Sequence, residues 1–136
     1  MLALHAHRGL IAATVLANVA LAVWAFLVHL QGRRIVSREF WTVLLIAVAV
    51  MALQMAAGIV LTVAGTRPRT WLHFLYAVLV ASVAMYQFGL RPGGFVRSRH
   101  AFWMGRDPHS PAGLVLICLL QAALMARAFT TGAFGR

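Results

Sequence analysis

Four long apolar runs, separated by short polar segments, dominate the pattern of this chain. They cover residues 10–30, 40–63, 71–90 and 111–128. Each run is close to the ~20 residues that a helix needs to cross a hydrocarbon core of ~30 Å. The pattern therefore predicts an all-α protein with four transmembrane helices. Residues 1–136 are expected to form a single transmembrane domain.

The connections between the runs predict how the helices are arranged. Residues 31–39 and 64–70 are short, and short connections make consecutive helices antiparallel neighbours. An up-down-up-down bundle follows, in which the first and third helices are diagonal partners. Ser110 followed by Pro111 is typical of a helix start. The longer connection, 91–109, alternates aromatic residues with arginines and is expected to lie at the level of the lipid headgroups.

Composition supports a lipid environment. The chain is 62% hydrophobic and 10% charged, whereas a soluble domain carries about 25% charged residues. The 12 basic residues, all arginines, face only 2 acidic residues. These arginines fall between the apolar runs, so we interpret their charge as a determinant of membrane topology and not as a nucleic-acid interface. The single cysteine, Cys118, lies inside an apolar run and is interpreted as a packing residue.

The distribution of arginines predicts the orientation of the helices. Residues 31–39 and 91–109 hold more arginines than the opposite side of the bundle, which favours a cytoplasmic position for both connections. The protein is then a multi-pass protein of the inner (plasma) membrane with both termini outside. Arg127 is expected to extend from the fourth helix toward the outer surface. Trp41 and Trp71 lie at the ends of runs, as interfacial anchors do.

Few side chains in this sequence could carry out chemistry. Glu39 and Asp107 are the two carboxylates, and both lie at loop edges. The runs contain no acid, which argues against a proton path, a cation transporter or catalysis by paired carboxylates. Histidines remain as candidates, and there are six of them: His5, His7, His29, His73, His100 and His109.

Two of these histidines form a candidate haem site. His7 and His73 precede or begin the first and third helices, on the same side of the membrane. Two imidazoles at equal depth on diagonal helices can bind one haem iron from both faces, as in b-type membrane cytochromes. Each histidine taken alone is also typical of an interfacial residue. The pair is favoured because depth, side and diagonal placement agree.

The surroundings of these histidines suit a flat macrocycle. Gly58 and Ala77 are small residues that leave room for a ring edge, although such residues are also common at contacts between membrane helices. Haem propionates need cations, and guanidinium groups supply paired hydrogen bonds to carboxylates. Arg8, Arg67 and Arg69 lie at the same predicted edge of the bundle.

Three short segments resemble one half of the haem A synthase family. They are His7-Arg8-Gly9 at the start of a span, residues 54–61 (QMAAGIVL), and residues 73–77 (HFLYA). Members of that family repeat a four-helix bundle twice, and each half carries an HR pair, a Q…LG…VL helix and an H-L-x-x-A helix start. The resemblance covers about two-thirds of the chain. It implies that His7 and His73 are the iron ligands.

The sequence also departs from that family. It has one bundle instead of two, and Leu4 stands where members usually carry a glutamate. The resemblance therefore implies haem binding more directly than hydroxylation of a haem methyl group. The sequence predicts a b-type cytochrome-like subunit of a larger respiratory or photosynthetic complex. Two alternatives remain. One is a cofactor-free accessory subunit of a membrane complex, which binds lipid, pigment or protein through its helices. The other is a half-size haem A synthase-like enzyme that acts as a homo-oligomer, namely a homodimer.

Overall fold

Four long helices make up the fold of the described residues. The computed structural model describes residues 8–68, 70–97 and 110–134. Within these ranges the chain is helical and has no strand. The helices are α1 (Arg8–Leu30), α2 (Arg38–Val63), α3 (Leu72–Leu90) and α4 (Pro111–Phe134). All four are long and apolar enough to cross a membrane, so the prediction of an all-α, four-span protein is confirmed.

The fourth helix is longer than its apolar run. It was predicted to end at residue 128 but continues to Phe134. The extension contains Thr130 and Thr131, whose hydroxyls donate to the carbonyl oxygen of Arg127 at 3.0 and 2.9 Å. Because these hydroxyls are satisfied within the helix, they do not end it. The predicted start is correct: the Gly113 amide donates to Ser110 Oγ at 3.3 Å.

Helix packing follows an up-down-up-down order. α1 packs most extensively against α4, α3 also packs against α4, and α2 makes smaller contacts with α1 and α3. The pairs α1–α3 and α2–α4 are therefore diagonal. Buried side chains recur every three or four residues, as knobs-into-holes packing requires. In α2 they are Phe40, Trp41, Leu44, Ala47, Met51, Gln54 and Ala57.

The outer surface of the bundle is apolar. Only 22–33% of the most hydrophobic stretch of each helix is buried inside the protein. Large hydrophobic side chains cover the rest, including Leu16 at 65%, Ile46 at 60% and Leu116 at 70% exposure. A surface of this kind is stable in lipid and not in water. A bilayer is therefore the environment that this fold requires.

The two ends of the bundle differ in how they are filled. We call the end formed by Leu30, Arg38, Leu90 and Pro111 the Phe40 end. Its core is a continuous cluster that includes Leu21, Ala25, Val28, Phe40, Leu44, Leu90 and Leu114. We call the opposite end, where α1 and α3 begin and α2 and α4 finish, the His73 end.

An aromatic cluster closes the Phe40 end. The ring of Phe40 meets those of Trp24 and Trp41 edge to face, with centroids 5.8 and 5.6 Å apart. Trp41 is only 6% exposed, so its prediction as an interfacial anchor is wrong. It follows the fully buried Phe40 directly in the sequence and is part of the same hydrophobic core. Trp71, at 69% exposure, has the accessibility of an interfacial anchor.

Candidate functional site

His73 lies near the start of α3 and contacts α4. Its Nδ1 is 2.9 Å from the carbonyl oxygen of Ala128. A carbonyl can only accept a hydrogen bond, so Nδ1 carries the hydrogen and the lone pair of the neutral ring is on Nε2. The ring is half-buried and meets Phe74 edge to face, with centroids 6.2 Å apart. This geometry holds the imidazole in one tautomer and one orientation.

Gly132 makes this contact possible. A Cβ added at residue 132 would lie 2.7 Å from His73 Nδ1 and 2.8 Å from its Cε1. Real Cβ atoms do not approach other atoms this closely, so any larger residue would displace the ring. Glycine at this position therefore lets the imidazole rest on the α4 backbone and reach the carbonyl of Ala128.

The small residues predicted near His73 face partly inward. Ala77, one turn along α3, is half-buried, and Ala84 further along is buried. Gly58 of α2 is also half-buried. These positions agree with a small-residue lining at the His73 end. The same placement would serve ordinary helix packing, so it supports a haem site only together with His73.

The predicted partners of His73 are described to different extents. His7 and Arg69 lie outside the described residues, and of Arg8 only the backbone, which begins α1, is described. Arg67 is exposed on the connection between α2 and α3. The second iron ligand therefore stays a prediction.

Arg127 is a cation at this end that was not predicted to belong to the site. Its guanidinium carbon is 5.7 Å from the ring centroid of Tyr76, which is within cation–π range. Tyr76 is one turn from His73, and Arg127 precedes Ala128, the hydrogen-bond partner of His73. This contact could not be predicted from the sequence because it depends on how α4 is rotated against α3.

Of the remaining histidines, His29 is the one within the described residues, and it is not near His73. His29 is exposed at the Phe40 end. His5, His100 and His109 lie outside the described residues. Among residues 8–68, 70–97 and 110–134, no group of three or more histidine, cysteine or acidic residues could hold a metal ion. That finding concerns centres with three protein ligands and does not bear on a haem held by two histidines.

A second group of polar residues lies in the middle of the bundle. Each helix buries one amide side chain, and these buried amides are Asn18, Gln54, Gln87 and Gln121. Gln54 belongs to one of the segments that resemble the haem A synthase family, but its burial was not predicted, and the other three amides were missed. Their signal was present, because a polar residue inside an apolar span is rare and usually faces the bundle interior.

Three of the buried amides connect helices. Gln87 Nε2 donates to Asn18 Oδ1 at 3.1 Å, which joins the diagonal pair α3 and α1. Asn18 Nδ2 in turn donates to the Thr14 carbonyl at 3.0 Å. Gln121 Nε2 donates to the Val80 carbonyl at 3.3 Å and lies 2.9 Å from Met51 Sδ. These contacts fix the helices against each other at mid-membrane depth.

The face formed by α2 and α3 at the His73 end is open. Within the described chain, residues 58–63 of α2 and 72–79 of α3 contain no buried residue. α1 and α4 are better covered there, since Thr14 and Thr131 are buried. The side chains of α2 and α3 at this end are therefore accessible from outside the bundle.

Neither the comparison with models of protein families, nor that with curated proteins, nor that with solved structures finds a match to this chain. The resemblance to haem A synthase therefore stays a prediction. Function has to be argued from the residues of the site and from the packing around them.

Proposed function

We propose that this protein is a small membrane subunit that holds one b-type haem at its His73 end, with His73 and His7 as the axial ligands. Its role is electron transfer, or a structural haem, within a larger respiratory or photosynthetic complex. The observation that carries the proposal is the hydrogen bond between His73 Nδ1 and the Ala128 carbonyl.

This hydrogen bond gives His73 the chemistry of an axial ligand. Histidines that bind metals usually donate their second ring N–H to a carbonyl or a carboxylate, which fixes the tautomer and makes the coordinating nitrogen more basic. In His73 the donating nitrogen is Nδ1, so Nε2 is the nitrogen that would bind iron. Gly132 supports the same orientation because it allows the ring to lie against α4.

Space and charge at the His73 end support a haem of this kind. His73 is half-buried and neighbouring side chains of α2 and α3 are exposed, so a ligand could approach from outside the bundle. Arg67 and Arg127 supply guanidinium groups at this end, and Arg8 and Arg69 are candidates from the sequence. A bound haem would supply one-electron redox chemistry, with its potential set by the axial ligands and by burial.

The membrane and the orientation are part of the proposal. The arginines of residues 31–39 and 91–109 favour a cytoplasmic Phe40 end in the inner (plasma) membrane. The His73 end and both termini then lie on the outer side. Haem held there would exchange electrons with partners near the outer surface.

The absorption spectrum of the purified protein tests the proposal. The full chain is produced in cells with a haem supply and purified in detergent. We expect it to show a sharp Soret band and, after reduction of the iron, an alpha band. His73→Ala and His7→Ala should each abolish the low-spin spectrum, because each removes an axial ligand. His29→Ala is the matched control, since His29 is exposed at the opposite end, and it should leave the spectrum unchanged. Retention of both bands in His73→Ala would contradict the ligand assignment.

The open α2–α3 face also favours a second candidate, a cofactor-free accessory subunit. In this case the exposed side chains of residues 58–63 and 72–79 pack against a helix of a partner or of a second copy. Such a protein would have no haem spectrum after expression with a haem supply. Cross-linking from this face in native membranes would then be expected to capture a neighbouring subunit.

A further inference from the structure

A cavity at the Phe40 end lies outside the proposed haem site. It has a volume of about 670 Å³ and is formed by the start of α2, the residues before it, and the chain that follows α3. Arg38, Arg91 and Arg97 contribute its polar wall. Ile35, Trp41 and Leu45 contribute much of its apolar wall. The cavity is therefore cationic on one side and hydrophobic on the other.

The turn after α3 brings Arg97 to this cavity. The Gly94 amide donates to the Arg91 carbonyl at 2.8 Å, which reverses the chain direction after Pro92. A Cβ at residue 94 would collide with the carbonyl oxygen of Gly89, so the turn needs glycine at that position. The chain folds back on the end of α3 as a result, and two arginines that are six positions apart, Arg91 and Arg97, line one cavity.

The three guanidinium groups have little opposing charge. Glu39 is the one carboxylate in the described residues, and its charge interacts with the adjacent Arg38; within that part of the chain no ion pair of Arg91 or Arg97 is found. Arg91 and Arg97 are half-buried. Partly desolvated cations without a counterion are unfavourable, and an anion that binds between them relieves this cost.

Arg91 is held in place before any ligand binds. Its Nη1 donates to the Phe88 carbonyl at 2.9 Å, and its guanidinium carbon lies 3.5 Å from the centroid of the Phe88 ring. A fixed guanidinium loses less side-chain entropy when it binds an oxyanion. The preformed position of Arg91 therefore favours binding of an anionic group at this end.

The apolar wall indicates which anion fits. Along α2 the lining runs from Arg38 through Trp41 to Leu45, a rise of about 10 Å toward the membrane centre. A ligand that fills this space has an anionic group at the membrane surface and a hydrocarbon portion below it. Phosphate is the shared chemistry of a free phosphate and a lipid headgroup, but only the lipid uses the apolar wall.

We propose that this cavity is a binding site for an anionic phospholipid, with the lipid phosphate between Arg38, Arg91 and Arg97 and an acyl chain along Trp41 and Leu45. Basic pockets between membrane helices are suited to such headgroups. The site is independent of haem, because it lies at the opposite end of the bundle from His73.

Lipid titration of the purified full chain, followed by native mass spectrometry, tests this site. The probes are dioleoylphosphatidylglycerol, dioleoylphosphatidylcholine, glycerol phosphate and inorganic phosphate. Phosphatidylglycerol should bind at least about tenfold more tightly than phosphatidylcholine. The two soluble phosphates should not displace it at the concentrations at which the lipid binds.

Two pairs of arginines provide a matched comparison. Arg38→Gln/Arg97→Gln should weaken phosphatidylglycerol binding about thirtyfold, because each arginine near a membrane surface contributes about fivefold. Arg33→Gln/Arg34→Gln removes the same charge from exposed residues that do not line the cavity, and should change binding less than about twofold. The single variants Arg38→Gln and Arg97→Gln, each about fivefold weaker, keep the test valid if the double variant does not fold.

Three results would overturn the proposal. Equal binding of the two lipids would exclude selection for an anionic headgroup. If Arg33→Gln/Arg34→Gln weakened phosphatidylglycerol binding as much as Arg38→Gln/Arg97→Gln, the lipid would be attracted to positive charge in general and not to this cavity. Displacement by glycerol phosphate, with unchanged lipid binding in Leu45→Trp, would mean a soluble phosphate site that does not use the apolar wall.

Discussion

The Phe40 end and the His73 end of this bundle use the same four helices in different ways. At the Phe40 end every helix contributes to one closed core, and aromatic rings fill its centre. At the His73 end, none of residues 58–63 and 72–79 is buried. An interhelical polar contact there is the hydrogen bond from the His73 imidazole to the Ala128 carbonyl oxygen. The Phe40 end therefore combines a packed aromatic core with an arginine-lined cavity at its edge, whereas the His73 end presents a histidine beside two exposed helix ends.

This contrast shows where close packing is concentrated in a small membrane bundle. Lipid is as apolar as the side chains, so burial alone does not drive helix association, and close packing and hydrogen bonds must do so. Close packing is concentrated at the Phe40 end and hydrogen bonds at mid-depth. The His73 end can therefore stay open for a cofactor or a partner without loss of the fold.

Removal of an aromatic side chain at each end tests the contrast with the largest expected effect. Phe40 is fully buried, and Phe40→Ala should reduce the free energy of unfolding by about 3 kcal/mol because it leaves a cavity. Phe74 is 43% exposed, and Phe74→Ala should cost less than about 1 kcal/mol. The measurement is equilibrium unfolding in mixed detergent micelles. Equal losses for the two variants would mean that the ends are not differently packed.

A methyl group at residue 132 tests the His73 end itself. Gly132→Ala places a Cβ against the imidazole, so the ring must move and its bond to the Ala128 carbonyl should be lost. We expect a loss of stability of about 1–3 kcal/mol from overpacking. Nitrogen chemical shifts of the His73 ring, compared with wild type, would report the change of tautomer.

Ala126→Val is the control for this substitution. It adds bulk to the same helix at an exposed position and should leave both the stability and the His73 ring signals unchanged. If Gly132→Ala also leaves the ring signals unchanged, the close contact between His73 and α4 does not exist in the membrane. If a haem is bound as proposed, Gly132→Ala should in addition alter its spectrum, whereas Ala126→Val should not.

The fold could be predicted from sequence because span length is a strong signal. Runs of apolar residues fix the number of helices, and short connections fix their antiparallel order. The end of α4 was missed because Arg127, Thr130 and Thr131 look like residues of a membrane boundary. In the structure each has a partner within the bundle. Arg127 lies over the Tyr76 ring of α3, and the hydroxyls of Thr130 and Thr131 donate to a carbonyl oxygen of their own helix.

The details of the candidate site could not be predicted for a different reason. A helix surrounded by lipid is apolar on all sides, so the sequence carries little information about its rotation. Whether His73 faces α1 or α4, and whether Trp41 faces lipid or the core, depends on that rotation. The buried amides are the exception, because a polar side chain in a span points to the interior. Asn18, Gln87 and Gln121 could therefore have been used to orient their helices.

The smallest expected effect on stability comes from the pair Asn18 and Gln87, which tests the hydrogen bonding at mid-depth between the two ends. Their hydrogen bond is a direct side-chain link across the α1–α3 diagonal, with both residues at most 1% exposed. A double-mutant cycle with Asn18→Ala, Gln87→Ala and the double variant isolates this link from the cost of each truncation. We expect a coupling energy of about 0.6 kcal/mol, and no more than about 1.7 kcal/mol, because amides that lose one partner in a membrane find others. A coupling of zero would mean that the two amides do not meet. In that case the Gln121–Val80 hydrogen bond would remain at mid-depth, and the position of α3, with His73 on it, would depend on its packing against α4.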